Sequence, residues 1–136
     1  MAVRKDNTAC RRLIAMPGIG PVIATALVAA VDDARQFSSG RDLAAWIGLV
    51  PRQYTTGGKP KLGGIGRRAN HYLRRQLVHS ARSVANHARQ RTGSQADWIQ
   101  ALEARRGFNK AVVAVANKMV RAAWAMLARE EEYRAA

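Results

Sequence analysis

Two segments carry residue types whose spacing points to chemistry on phosphate. The first is Pro51-Arg52-Gln53-Tyr54-Thr55-Thr56-Gly57-Gly58-Lys59-Pro60-Lys61-Leu62-Gly63-Gly64, which combines hydroxyls, lysines and flexible backbone. That combination suits a loop approaching phosphate, with backbone N–H groups and ammonium groups turned to an anion. It is not a nucleotide-binding P-loop, because the G-x-x-x-x-G-K-[ST] spacing is missing. The second is Leu13-Ile14-Ala15-Met16-Pro17-Gly18-Ile19-Gly20-Pro21-Val22-Ile23-Ala24, a helix, a glycine turn and another helix. Gly18 and Gly20 permit tight reversal and close backbone approach, and N–H groups at the second helix start suit a phosphate oxygen. The same turn also serves for packing two helices without a ligand, and Ile19 would then fill the space between them.

Other chemistries find little support. His71, His79 and His87 recur every eight residues, not at the three- or four-residue spacing that aligns metal ligands on a helix. Asp32, Asp33, Asp42, Asp97 and Glu103 show no context for the converging carboxylates of a two-metal site, so no metal site is expected here. Ser80 and Ser83 near His79 read as helix residues, and Trp46, Trp98 and Trp124 as packing residues.

Charge supports the phosphate reading. The 136 residues hold 23 Lys+Arg against 9 Asp+Glu, a formal net charge of +14. Between Asp42 and Asp97 there is no acid, yet Arg52, Lys59, Lys61, Arg67, Arg68, Arg74, Arg75, Arg82, Arg89 and Arg91 all fall there. A salt-bridged helix surface needs both signs, so this interval points to a polyanion, nucleic acid before membrane. Cys10 is the only cysteine, which excludes an internal disulfide and a cysteine zinc site and suits a reducing, cytoplasmic setting.

The elements that position these residues are helical. With 6% aromatics the core must be mostly Ala, Val, Leu and Ile, and the length suits one domain over 1–136. Residues 1–7 read as a loose arm, and a helix from Thr8 to Met16 ends at Pro17. Pro21 suits the first turn of a helix over Val22 to Val31, so 8–31 forms a helix-hairpin-helix pattern. The uncharged run from Leu13 to Val31 is broken at its centre by Pro17, Gly18, Gly20 and Pro21, which argues against a membrane span. Ser39 and Asp42 form a capping box for a helix ending at Gly48. Five glycines within 50–66 exclude a long helix there. A basic helix follows over 70–91, with Leu73, Leu77, Ala81, Val84 and Ala88 on its apolar stripe and Arg75, Arg82 and Arg89 on another. Ser94 with Asp97 caps a helix to about Arg105, Gly107 ends it, and Asn109 caps a last helix with Val112, Ala116, Met119, Val120, Ala123 and Leu127 inward. The expected class is all-α: a helix-hairpin-helix, then a Gly-rich basic loop, then a helical bundle over 67–136.

The ordered set of motifs resembles the C-terminal domain of the insertion-sequence-110 (also 116 and 902) transposases. It runs from Met16-Pro17-Gly18-Ile19-Gly20-Pro21 through Asp42-Leu43-Ala44-Ala45-Trp46-Ile47-Gly48-Leu49-Val50-Pro51-Arg52, Thr56-Gly57-Gly58-Lys59 and Gly63-Gly64-Ile65-Gly66-Arg67-Arg68-Ala69-Asn70-His71-Tyr72-Leu73-Arg74-Arg75, to Asn109-Lys110-Ala111-Val112-Val113-Ala114-Val115-Ala116-Asn117-Lys118. The resemblance implies DNA transposition by a recombinase working with a structured guide RNA. It implies that an N-terminal RNase H-like domain supplies acidic residues and their divalent metal, and that a C-terminal serine attacks the DNA phosphate. That serine position falls on Thr56, whose methyl group crowds in-line approach to phosphorus. With no acidic domain here, the expectation is a truncated or split form that binds DNA without cutting it alone. The implied partners are DNA, guide RNA, a separately encoded N-terminal half and further copies of the chain, in a prokaryotic cytoplasm at the nucleoid. Gly18, Gly20, Arg52, Lys59, Lys61, Arg67, Arg68, Arg74 and Arg75 are the candidate nucleic-acid contacts. A non-enzymatic helix-hairpin-helix module that grips phosphate remains the alternative.

Overall fold

The structure, a computed structural model, describes residues 2–31, 33–49 and 67–133, with backbone alone over 2–7 and 67–69. These residues form six α-helices and one short 3-10 turn, with no strand among them, as the all-α expectation requires. The helices are α1 (Ala2–Ile14), α2 (Pro21–Ala30), α3 (Gly40–Ile47), α4 (Arg67–Ala88), α5 (Ser94–Arg106) and α6 (Phe108–Arg129), and the 3-10 turn spans Ala34–Gln36.

Local chemistry sets several boundaries where the sequence places them. Pro21 occupies the first turn of α2, where its missing N–H costs no helix bond. The Ser39 hydroxyl accepts from the Asp42 N–H, and Ser38 donates to the Asp42 carboxylate, so α3 is capped as expected. Gly48, at φ +95°, closes α3 in the left-handed conformation that glycine adopts without steric cost.

Other boundaries differ. Residues 2–7 are not a loose arm but the first turns of α1. No glycine or proline precedes Pro17, so nothing stops the helix from running back to Ala2. The basic helix starts directly after Gly66 and ends at Ala88, three residues earlier at each end than the periodicity suggests. The α5 N-cap is Gly93 rather than Ser94, and the α6 N-cap is Gly107 rather than Asn109. Both glycines have positive φ, +118° and +91°, so the chain reverses there and the next residue already lies in the helix.

The centre of the core is α6, which packs against α1, α3, α4, α5 and the 3-10 turn. It buries Ala111, Val112, Val115, Ala116, Met119, Val120, Ala123 and Met126. Leu127 is half-buried, and Met126 takes the inward place expected of it. On α4, Leu73, Leu77, Ala81, Ala85 and Ala88 are buried, while Val84 sits at the edge of the stripe. Alanines on both helices let their backbones come close, so this core is aliphatic and small-residue rich. No polar or charged residue is buried among the described residues. Of the described helices, α6 alone is long and apolar enough to cross a membrane by length and composition, and its buried face lies in this core. The tryptophans pack at the rim: Trp46 lies 5.4 Å from Phe37, ring centre to ring centre. The Trp124 indole donates to the Ala34 carbonyl at 2.9 Å, and the Lys118 ammonium sits 4.6 Å over the Trp98 ring.

Candidate nucleic-acid interface

The Gly-rich basic segment leaves α3 at Leu49 and rejoins the helices at Arg67. Arg52, Thr56, Lys59 and Lys61 lie outside the described residues, as do the side chains of Arg67 and Arg68. Hydrogen bonds hold the stems on either side of the segment. After Gly48, the Leu49 N–H donates to the Ala44 carbonyl and completes the α3 C-cap. The Asn117 side chain, from the middle of α6, donates to the Leu49 carbonyl at 3.0 Å. The Asn70 side chain, one turn into α4, donates to the Trp46 carbonyl at 3.2 Å. Carbonyls at a helix C-terminus lack helical partners, and here two asparagines from elsewhere in the chain supply donors. The stems are thereby fastened to each other and to the core.

Arg74 stands at this junction. Its guanidinium lies so close to Gly48 that a Cβ there would meet Nη1 at 2.7 Å. Its Nη2 donates to His71 Nδ1 at 2.5 Å. Arg75, on the next position of α4, is exposed. A second group of cations reaches the same junction from the α5–α6 corner. Arg105, Arg106 and Lys110, with Asn109 and Val113, line an open groove of about 630 Å³ whose other side includes Leu49 and Asn117. These three residues are not among the contacts that the motifs point to. The available signal was a run of cations flanking the helix-breaking Gly107.

Two of the three heptad arginines have a different role. Arg89 forms an ion pair with Glu103 of α5 and lies 4.7 Å over the Phe108 ring. Arg82 lies 5.7 Å over the same ring and donates to the Asn109 side chain at 3.4 Å. The basic stretch is therefore not wholly without counter-charge: its partner comes from beyond Asp97. The Arg89 guanidinium holds the Glu103 carboxyl below its ordinary value through this hydrogen bond, and Glu103 raises Arg89 in turn.

In the turn between α1 and α2, the two glycines differ. Gly18 has φ +92°, and a Cβ on it would meet Val84 Cγ2 at 2.8 Å and Met119 Cε at 3.1 Å. Its carbonyl accepts from the Ser80 hydroxyl, while Met16 and Ile19 on either side are buried. Gly18 thus presses the turn onto α4 and α6. Gly20 faces open space, caps α2 without a side-chain hydrogen bond, and precedes Val22, which is 59% exposed.

Several acids are held in local contacts. Asp33 pairs with Arg35, whose hydrogen bonds to it lower its pKa, Asp42 accepts from Ser38, and Glu132 pairs with Arg12. Among the described residues no group of three or more His, Cys, Asp or Glu side chains comes together.

A family model described as the transposase IS116/IS110/IS902 family matches residues 10–96. The chain belongs to this transposase family. Among the relatives of this family member, a "Probable family 20 transposase" of Pseudomonas aeruginosa is 49% identical over 130 residues, covering 96% of this chain and 38% of that protein. The "Transposase for insertion sequence element IS1111A" of Coxiella burnetii is 45% identical over 133 residues, covering 98% of this chain and 36% of that protein. The "Transposase for insertion sequence element IS1328" of Yersinia enterocolitica is 40% identical over 119 residues, covering 88% and 36%. The chain spans a little over a third of the length of these relatives. No solved structure matches it.

Proposed function

We propose that this chain is a nucleic-acid-binding transposase domain, which presents the Gly-rich basic segment to DNA and to a structured guide RNA during transposition. The observation that carries this is the fastening of both stems of the segment by Asn70 and Asn117, beside Arg74 and the Arg105–Arg106–Lys110 groove. Arg52, Lys59, Lys61, Arg67 and Arg68 act together with cations from α4 and the α5–α6 corner, which stand beside the fastened stems. Thr56 is the residue that would face the phosphorus. It acts only in an assembly that brings acidic residues and their divalent metal from an RNase H-like domain, and in which further copies of the chain take part. The α1–turn–α2 pair adds a helix-hairpin-helix contact through the open side of Gly20. Gly18 supports that contact by packing rather than by touching phosphate.

The test is a titration of the chain against duplex DNA, branched DNA and folded RNA over a salt series. The expected outcome is tighter binding to branched DNA or folded RNA than to plain duplex. Each of Lys59→Ala and Lys61→Ala should lower the salt slope by about 1, as expected for a lost phosphate contact. Equal binding to every substrate, collapsing steeply with salt, would reduce the chain to a generic phosphate grip. With an acidic-domain partner added, Thr56→Ser should increase covalent DNA linkage and Thr56→Ala abolish it. No linkage with either variant would remove the catalytic assignment.

A further inference from the structure

A second concave site lies at the far end of α4, about 25 Å from the loop stems at a rise of about 1.5 Å per residue. It is a cleft of about 490 Å³ between the α1–α2 turn, the last turns of α4 and the start of α5. Pro17, Val84, Ala88 and Ile99 give it an apolar floor. Ser83, His87, Arg91 and Thr92 form a polar, cationic rim, and no acid among the described residues lines it. Its volume falls in the range of pockets that hold small planar ligands, roughly 300–1,000 Å³.

The walls are held in place. Gln100 of α5 donates to the Ala88 and Arg91 carbonyls at 2.6 and 3.1 Å, tying the α4–α5 connection back onto α5. The Arg89–Glu103 pair fastens the same corner, and the Ser80 hydroxyl holds the Gly18 carbonyl on the opposite side. The His87 ring donates from Nδ1 to the Ser83 carbonyl at 2.7 Å, which fixes its orientation and leaves Nε2 for a ligand. The Arg91 side chain is exposed at the mouth. An apolar floor under a cationic, hydrogen-bonding rim matches one nucleotide: a flat, apolar-faced base with polar edges and an anionic phosphate attached.

We propose that this cleft receives one unpaired nucleotide of the bound nucleic acid, its base against Pro17 and Val84 and its phosphate at Arg91. The proposal rests on the nucleic-acid reading above and adds to it a second contact, specific for an extrahelical base. It explains why the turn is pressed onto α4 by a glycine: Pro17 and Gly18 form one wall of the cleft.

The test compares two DNA duplexes of equal length by fluorescence anisotropy. One is continuous, and the other carries a single unpaired 2-aminopurine. The wild-type chain should bind the second on the order of tenfold more tightly, the gain expected from removing roughly 60 Å² of apolar base surface from water. Acrylamide quenching of the 2-aminopurine should fall on binding. Arg91→Glu at the mouth and Ser83→Leu, which fills the cleft from an exposed position, should each abolish the preference and the protection. The double variant Lys59→Ala/Lys61→Ala should weaken both duplexes equally and keep the preference. If Ser83→Leu fails to fold by circular dichroism, Arg91→Glu decides, because its side chain stands in solvent. Equal wild-type affinity for both duplexes, or a preference that survives Arg91→Glu, would overturn the cleft while leaving the nucleic-acid reading intact. No binding to either duplex would overturn both.

Discussion

Replacing Gly18 by alanine tests whether the glycine turn is a packing device or a phosphate grip. The residue sits at φ +92°, where a Cβ costs about 1–2 kcal/mol. The added methyl would also stand 2.8 Å from Val84 Cγ2, closer than real Cβ contacts come, and 3.1 Å from Met119 Cε, tighter than most of them. Overpacking of this kind costs about 1–3 kcal/mol. Gly18→Ala should therefore lose about 2–5 kcal/mol, which for a domain of this size lowers Tm by roughly 6–25 °C. Two further glycines calibrate the result. Gly40 has no positive φ, but its Cβ would meet the Arg121 Cα at 2.7 Å where α3 crosses α6, so Gly40→Ala should show the overpacking cost alone. Gly20 has nothing within 4 Å, and Gly20→Ala should change stability by less than about 1 kcal/mol, the small difference between these residues at an N-cap.

The assay is thermal unfolding followed by circular dichroism for all three variants, with duplex affinity measured well below the lowest Tm. Gly18→Ala and Gly40→Ala should both destabilise the fold far more than Gly20→Ala, Gly40 because the atom it meets is backbone and cannot swing aside. Gly18→Ala should bind duplex DNA as the wild type does once folded, since its free side is already occupied by α4 and α6. Gly20→Ala should be the variant that weakens binding, because its methyl covers the open start of α2. A Gly18→Ala chain that melts together with Gly20→Ala would refute the packing account. A folded Gly18→Ala chain that no longer binds DNA would return the phosphate grip to Gly18.

Two further outcomes follow from contacts at the two ends of α4. Asn117→Ala removes the donor to the Leu49 carbonyl and should cost about 0.5–1.5 kcal/mol, the usual net worth of one hydrogen bond, while weakening DNA binding beyond that loss. If urea melts shift as expected and affinity does not change, the loop stems are no part of the interface. At the other end, the Glu103 carboxyl is held below its ordinary value by Arg89, so the pair stabilises the fold above the ordinary carboxylate range. That contribution is lost as the pH falls through the lowered folded value. The difference in urea stability between wild type and Glu103→Gln should hold constant from neutral to mildly acidic pH and vanish in stronger acid. A difference that survives strong acid would mean the carboxylate is not its source.

Features set by nearest neighbours were legible before the structure. The Ser39–Asp42 cap, the Pro21 helix start and the Gly48 stop each depend on residues within one turn, and each lies where the sequence puts it. Ser94 and Asn109 show where such local reasoning fails. Both are good capping residues, but Gly93 and Gly107 adopt positive φ one and two residues earlier and start the helices first. Asn109 then accepts from Arg82, 27 positions away, a partner that only the packing of α4 on α6 supplies. The fastening of the loop stems was illegible for the same reason. Asn70 and Asn117 look like ordinary helix residues until α3, α4 and α6 bring two carbonyls beneath them.

The heptad arginines carry the same lesson into function. Arg75, Arg82 and Arg89 share one stripe of α4, and a uniform basic face would use all three for ligand. The fold divides them. Near the loop stems no described acid pairs with Arg74 or Arg75, so their charge is available to a polyanion. Farther along, Phe108 and Glu103 take up Arg82 and Arg89, so those charges hold the α4–α5–α6 corner together. A bound phosphate chain gains little from a guanidinium already paired with a carboxylate, because that bond must first be broken. Affinity should therefore concentrate at the stem end and the α5–α6 groove. At the distal end Arg91 has no ion pair among the described residues and stands at the mouth of a cleft shaped for a single base, where charge serves to place one nucleotide rather than to attract the whole strand.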